Sequence, residues 1–168
     1  MVSRATVYRY FPSEEALVIE APLALAFRDL EEVIPEGAPA DPRERAAMVQ
    51  RYLFEHAAGN ENQFRTFLRA TLDQWIAAQG NLDEPLRAGR RNDMYERALA
   101  PVRDRLDDET YDRIRHALPV MSGIESLLVI RDVCGLSAER GGEIMEWAVR
   151  RLVQAVIEDA DRNEPAGP

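Results

Sequence analysis

From Asn60 to Gly80 the sequence places Phe64, Phe67, Leu68, Thr71, Leu72, Trp75 and Ala78 at steps of three and four. A helix of 3.6 residues per turn gathers all seven on one side, so this stretch is constrained to be an amphipathic helix. Strand signals are absent from the rest of the chain, and helix starts recur. A bundle of about eight helices is therefore the expected architecture, with all-α as the fold class.

The punctuation sets the boundaries. Ser13, followed by Glu14 and Glu15, caps a helix expected to run to about Val33 with a kink near Pro22. Pro35, Gly37 and Pro39 make a linker. Asp41, Pro42 and Glu44 then open a second helix, with an acidic cap, proline in the first turn and a carboxylate able to reach back, and it stops at Gly59. Asn60 and Gln63 repeat the capping pattern for the helix that ends at Gly80. A turn at Asn81 to Pro85 leads to an arginine-rich segment with Tyr95, Ala98, Leu99 and Val102 on one face, bent at Pro101. A short helix from Asp108 to Ala117 passes through Pro119 into an apolar helix ending near Cys134. Gly135 and Ser137 are a stop and a start. The last helix reaches about Ala160, with Ile144, Trp147, Ala148, Leu152, Ala155 and Val156 along one side, and residues 161–168 form a frayed tail.

Composition excludes several classes. At 168 residues and 46% hydrophobic content the chain has the make-up of a globular domain. Its formal charge of −9 argues against general coating of nucleic acid, and all its basic residues are arginines. Residues 1–12 hold Arg4 and Arg9 and no acid, so the acidity lies wholly beyond them. A single cysteine excludes an internal disulfide framework and fits a reducing cytoplasm; lying in an apolar run, Cys134 is expected to be buried. The most apolar stretch, Ala117 to Gly135, is broken by Glu125, Arg131 and Asp132, which excludes a membrane span, and no secretory signal is visible.

The opening stretch VSRATVYRYFPSEEAL is the most specific motif. Ser3 caps a helix of two turns on which Thr6, Tyr8, Arg9 and Tyr10 can reach outward while Ala5, Val7 and Phe11 face a core, and a second helix capped by Ser13 follows at once. Such a helix fits the DNA major groove, with arginine and hydroxyl groups suited to phosphates and base edges. The pattern closely resembles the recognition helix and following helix of TetR-family transcriptional regulators, and GIESLLVIRDVCGLSAERGGEIMEWAVRRLVQAVIEDA resembles that family's last two helices, which pair with those of a second subunit. The resemblance implies a TetR-like helical bundle. Residues 1–34 would be a remnant helix-turn-helix with recognition helix 3–11 and connecting helix, and residues 40–160 a regulatory, ligand-binding and dimerisation domain. It also implies the function: a transcriptional regulator, a repressor released from its operator by a small-molecule effector.

Carried over residue by residue, Ser3 is the cap, Arg4 a phosphate or base contact, Thr6 and Tyr8 touch bases or nearby phosphates, Arg9 reads or clamps, and Tyr10 contacts backbone. Two departures stand out. The family places two further helices before the recognition helix, so the chain is expected to be N-terminally truncated and, as written, to bind DNA poorly, because an isolated two-turn helix is marginal. Operator DNA is then a partner only where those helices are present. Glu14 also stands where the family commonly has lysine, and a carboxylate there repels a phosphate.

In the family the middle helices enclose an apolar effector cavity; the candidates here are Met48, Tyr52, Phe64, Phe67, Leu68, Trp75, Met94, Tyr95 and Met121, each of which can equally fill a core. Glu125, a charge in an apolar run, is expected to pair with an arginine, ahead of facing solvent at a dimer seam or holding an effector. The last two helices are apolar around more than one face, which predicts a homodimer. Small Ser122, Gly123 and Ser126 allow close approach, and Met121, Leu128, Trp147, Arg151 and Val156 make contact. His56 and His116 are the only histidines, and neither a glycine-rich phosphate loop nor a metal-ligand cluster is present, so neither an enzyme nor a cofactor is expected. The alternative is a truncated dimeric ligand-binding or interaction protein that has lost specific DNA binding.

Overall fold

The computed structural model describes residues 29–81, 87 and 89–163, and every regular element among them is helical. The recognition-helix residues Ser3, Arg4, Thr6, Tyr8, Arg9 and Tyr10 lie outside the described residues. Those described fall into two units, 60–81 with Arg87 and 29–59 with 89–163.

The first unit contributes one helix, Glu61–Ala77, here α3. Its expected capping box does not form: the Asn60 side chain makes no cap hydrogen bond, and the Asn60 backbone oxygen accepts from Phe64 N at 3.0 Å. Instead Glu61 binds the Arg65 guanidinium one turn on, at 2.9 Å. The helix closes through Gly80, whose φ of +76° lets its amide return to the Trp75 carbonyl at 3.1 Å.

The second unit starts with a single turn, α1 (Leu30–Val33), which buries Val33 and Ile34. α2 (Pro42–Gly59) begins where the acidic cap and proline predict. Asp41 accepts the Arg43 amide at 2.9 Å, and the Arg43 guanidinium closes on the same carboxylate, holding that carboxyl below its ordinary range. Glu44 does not reach back to the cap; it is drawn off by Arg150, as described below. Ala46, Val49, Gln50, Leu53, Phe54 and Ala57 recur at three and four and form the buried side of α2.

α4 (Arg90–Leu99) buries Met94, Tyr95, Ala98 and Leu99, then tightens at Pro101 into a 3₁₀ turn, Ala100–Arg105, that buries Val102. α5 (Asp108–Val120) starts where expected and is capped by Asp107, with the Thr110 amide donating at 2.7 Å. Pro119 does not end the helix. It sits in the last turn, where its missing N–H forfeits only one bond, and the chain breaks four residues later at Gly123, φ +82°. Val120 therefore belongs to α5, and the next helix, α6, starts at Ile124.

α6 (Ile124–Leu128) widens into a π-turn over Val129–Val133, closed by Cys134 N on the Val129 carbonyl at 3.0 Å and Leu136 N on the Ile130 carbonyl at 3.0 Å. The wide turn rotates Cys134 outward, so the thiol is exposed and not buried as its apolar neighbours predict. Gly135 at φ +67° ends this segment, and Ser137 Oγ accepts the Arg140 amide at the start of α7 (Ala138–Asn163).

α2 and α7 are the principal packed pair, and α7 turns Gly141, Val149 and Val153 inward. Trp147 and Ala155, expected on the packed stripe, face solvent. No helix among the described residues is long and apolar enough to cross a membrane.

Candidate functional site

Three α2 and α4 residues build the polar centre of the second unit. Tyr95, fully enclosed, donates its hydroxyl to Gln50 Oε1 at 2.6 Å, and Gln50 Nε2 donates to the Met121 carbonyl at 3.2 Å. Arg91 Nη1 donates to the Ser122 carbonyl at 2.7 Å and to Glu125 Oε2 at 3.2 Å, while Ser122 Oγ donates to the Pro119 carbonyl at 3.0 Å. The Met121 and Ser122 carbonyls, just past the end of α5, are thus taken up by side chains from α2 and α4, and the Pro119 carbonyl by Ser122. Glu125 has the arginine partner expected of a charge in an apolar run. Burial pushes the Tyr95 phenol up, against smaller opposing effects of Ser122 and Arg91, so the phenol stays protonated and remains a donor. Gly123 belongs to the same arrangement: a Cβ there would lie 2.8 Å from Arg91 Nη1.

The candidate cavity residues are divided between the units. Phe64, Phe67 and Leu68 lie half-buried on α3, and Trp75 is exposed there with Leu72 and Ile76. In the second unit Met94 and Tyr95 are core residues, and Met48, Tyr52 and Met121 are half-buried. The Tyr52 ring stacks on His56 at 5.7 Å, and burial lowers the His56 pKa. Gln50 and Arg91, which organise the polar centre, were not among the candidates. The available signal was Gln50 itself, the one polar residue at a core position of α2's apolar period.

The candidate dimer residues also separate. Ser122 and Ser126 are buried within the subunit, Met121, Gly123, Leu128 and Val156 are half-buried, and Trp147 and Arg151 are exposed. Trp147 is 61% exposed and Val133 78%, and Val120 and Val129 are exposed as well. α6 and its π-turn lie against the start of α7, where a Cβ on Gly141 would collide with Ile130 Cγ2.

Between α2 and α7 runs an open groove of about 660 Å³. Its floor is a ladder of ion pairs: Arg51 grips Glu146 through two bonds of 2.7 and 2.8 Å, and Arg150 grips Glu44 through two of 2.9 and 3.1 Å. Arg150 also reaches Glu146 at 3.3 Å. These paired charges make a poor trap for an anionic ligand. The Arg51 hydrogen bond, with the charges of Arg51 and Arg150, holds the Glu146 carboxyl below its ordinary value against opposing burial. A carboxyl depressed in the fold stabilises above its unfolded pKa, near 4.5, and that contribution disappears as pH falls through the folded value. Glu146→Gln is therefore expected to cost about 1 kcal/mol at pH 7, a modest figure because Arg51 is half exposed. The gap from the parent should narrow progressively as pH falls below about 4.5 in chemical denaturation; a gap independent of pH would show that the pairing is not its source.

His116 lies on the exposed side of α5. Its Nδ1 is 3.4 Å from Asp112, whose carboxyl is lowered chiefly by its hydrogen bond from Arg115. Among the described residues no group of three or more His, Cys, Asp or Glu is placed to hold a metal ion. No protein-family model, curated protein or solved structure matches this chain.

Proposed function

We propose that this protein is a TetR-like transcriptional regulator, a homodimeric repressor released from operator DNA by a small-molecule effector. The opening stretch VSRATVYRYFPSEEAL carries the reading: its sequence resembles the recognition helix and following helix of that family, with arginine, threonine and tyrosine at the positions suited to DNA contact. Two features of the described residues support it. Every regular element among them is helical, and the long final helix and the π-turn after α6 leave Val129, Val133 and Trp147 exposed on a monomer. An effector would act by favouring one of two head spacings, and one that bound both states equally would release nothing.

The test is chromatin immunoprecipitation of the protein tagged at its C-terminus and expressed from its own chromosomal locus. The expected result is a small set of sites sharing a two-fold symmetric motif with half-sites about one helical turn apart. Absence of any enriched sequence would overturn the regulator and favour a dimeric ligand-binding protein without specific DNA affinity.

A further inference from the structure

The outward side of α7 carries a charge order that fits itself. At 100° per residue Arg140, Trp147, Arg151 and Glu158 fall within about 20° of one line along the helix, opposite the buried Val149. Arg140 stands nine residues before Val149 and Glu158 nine after it; Trp147 stands two before and Arg151 two after. All four are exposed, and among the described residues their hydrogen bonds on this face run within the helix: Arg140 to Glu143 at 2.6 Å, Arg151 to Gln154 at 3.1 Å, and Gln154 to Glu158 at 2.6 Å. Such exposed local pairs contribute little and re-form readily.

We propose that α7 pairs antiparallel with α7 of a second copy, the two-fold axis passing beside Val149. This rests on the homodimer reading above and specifies its geometry. In this register Arg140 meets Glu158 of the partner subunit and Trp147 meets Arg151 of the partner subunit, and the symmetry makes each contact twice. The first is a complementary ion pair. The second lays a guanidinium over an indole face, the aromatic that attracts a cation best. Ile144 comes beside Ala155 of the partner subunit on one flank, so the apolar flank also meets its like. A parallel pairing would set Arg140 on Arg140 and Glu158 on Glu158. Sliding the antiparallel register so that Arg140 faces Arg151 opposes two cations. Tryptophan and arginine are also the residues that most often anchor an interface. A second copy is thus the occupant that this face matches in charge order.

Sedimentation equilibrium of the full chain at physiological salt tests the register, with circular dichroism to verify that each variant is folded. The parent is expected to be a dimer. Arg140→Glu and Glu158→Arg should each raise the dimer Kd by about tenfold or more, since each sets two like-charge contacts across the axis. The double variant R140E/E158R restores opposite charges and should return to within about threefold of the parent. Trp147→Ala should weaken the dimer by about tenfold or more, with no rescue by the charge swap. A dimer that ignores the single changes, or a double variant as weak as the singles, overturns the register while leaving the homodimer standing. A parent chain monomeric at all concentrations overturns both.

Discussion

Replacing Gln50 with leucine is expected to lower the unfolding free energy by about 2–4 kcal/mol, although it exchanges a polar side chain for an apolar one of similar size in a core. Gln50 is fully buried and works in both directions, accepting from Tyr95 and donating to the Met121 carbonyl. Leucine would remove the partner of a phenol that burial keeps protonated and also free a carbonyl at the end of α5, and an unmet buried polar group costs more than a hydrogen bond gains. Tyr95→Phe alone should cost about 1–2 kcal/mol. In the double variant Q50L/Y95F both ends of the 2.6 Å bond are gone, so its loss should fall short of the sum of the singles by about 1 kcal/mol or more. Urea unfolding of the four proteins supplies the cycle. Strict additivity would mean that the hydroxyl and the amide are adjacent without being energetically linked.

Gly141 and Gly142 form a matched pair whose responses to alanine should have opposite signs. Both lie within α7, where alanine is the better helix former by up to about 1 kcal/mol. At Gly142 a Cβ would meet Phe54 Cδ1 at 3.5 Å, an ordinary contact, so Gly142→Ala should leave stability unchanged or raise it by up to about 1 kcal/mol. At Gly141 a Cβ would collide with Ile130 Cγ2 and lie 3.1 Å from Phe54 Cζ. Overpacking of that kind costs about 1–3 kcal/mol and outweighs the gain in propensity, so Gly141→Ala should destabilise. Gly141→Leu should cost more still, because a larger side chain adds volume where even a Cβ already collides. Ile130→Val, which trims the side chain in the way, should recover part of the loss in a G141A background. Thermal melts read all of these, and a stable G141A protein would mean that α6 and α7 can part without penalty.

The two glycines look alike in the sequence, and so do several other pairs that the fold treats differently. Trp147 and Val149 both lie in an apolar helix, yet one is exposed and the other buried. The apolar period of α7 covers more than half its circumference, and only the position of α2 and α6 determines which arc is the inside. Cys134 has apolar neighbours on its N-terminal side, as a buried thiol would, and the π-turn over Val129–Val133 carries it outward. Gln50 occupies a core position in α2's rhythm, but its justification comes from Tyr95, 45 residues away. Glu44 carries the signature of a residue that reaches back to its own cap, and Arg150, 106 residues on, takes it instead.

What the sequence by itself determined is the helical class, the period of α3, the start of α2 at Asp41 and Pro42, the break at Gly135 with the restart at Ser137, and the need of Glu125 for an arginine. These depend on backbone bonds spanning four residues, on caps and on the left-handed freedom of glycine, or on the cost of an unpaired charge, all of which are local. What only the tertiary structure decided is which face of each helix is the inside, which arginine each carboxylate takes, and where a glycine is indispensable. Those choices depend on groups far apart along the chain meeting at close-packed distances, and no local pattern carries that information.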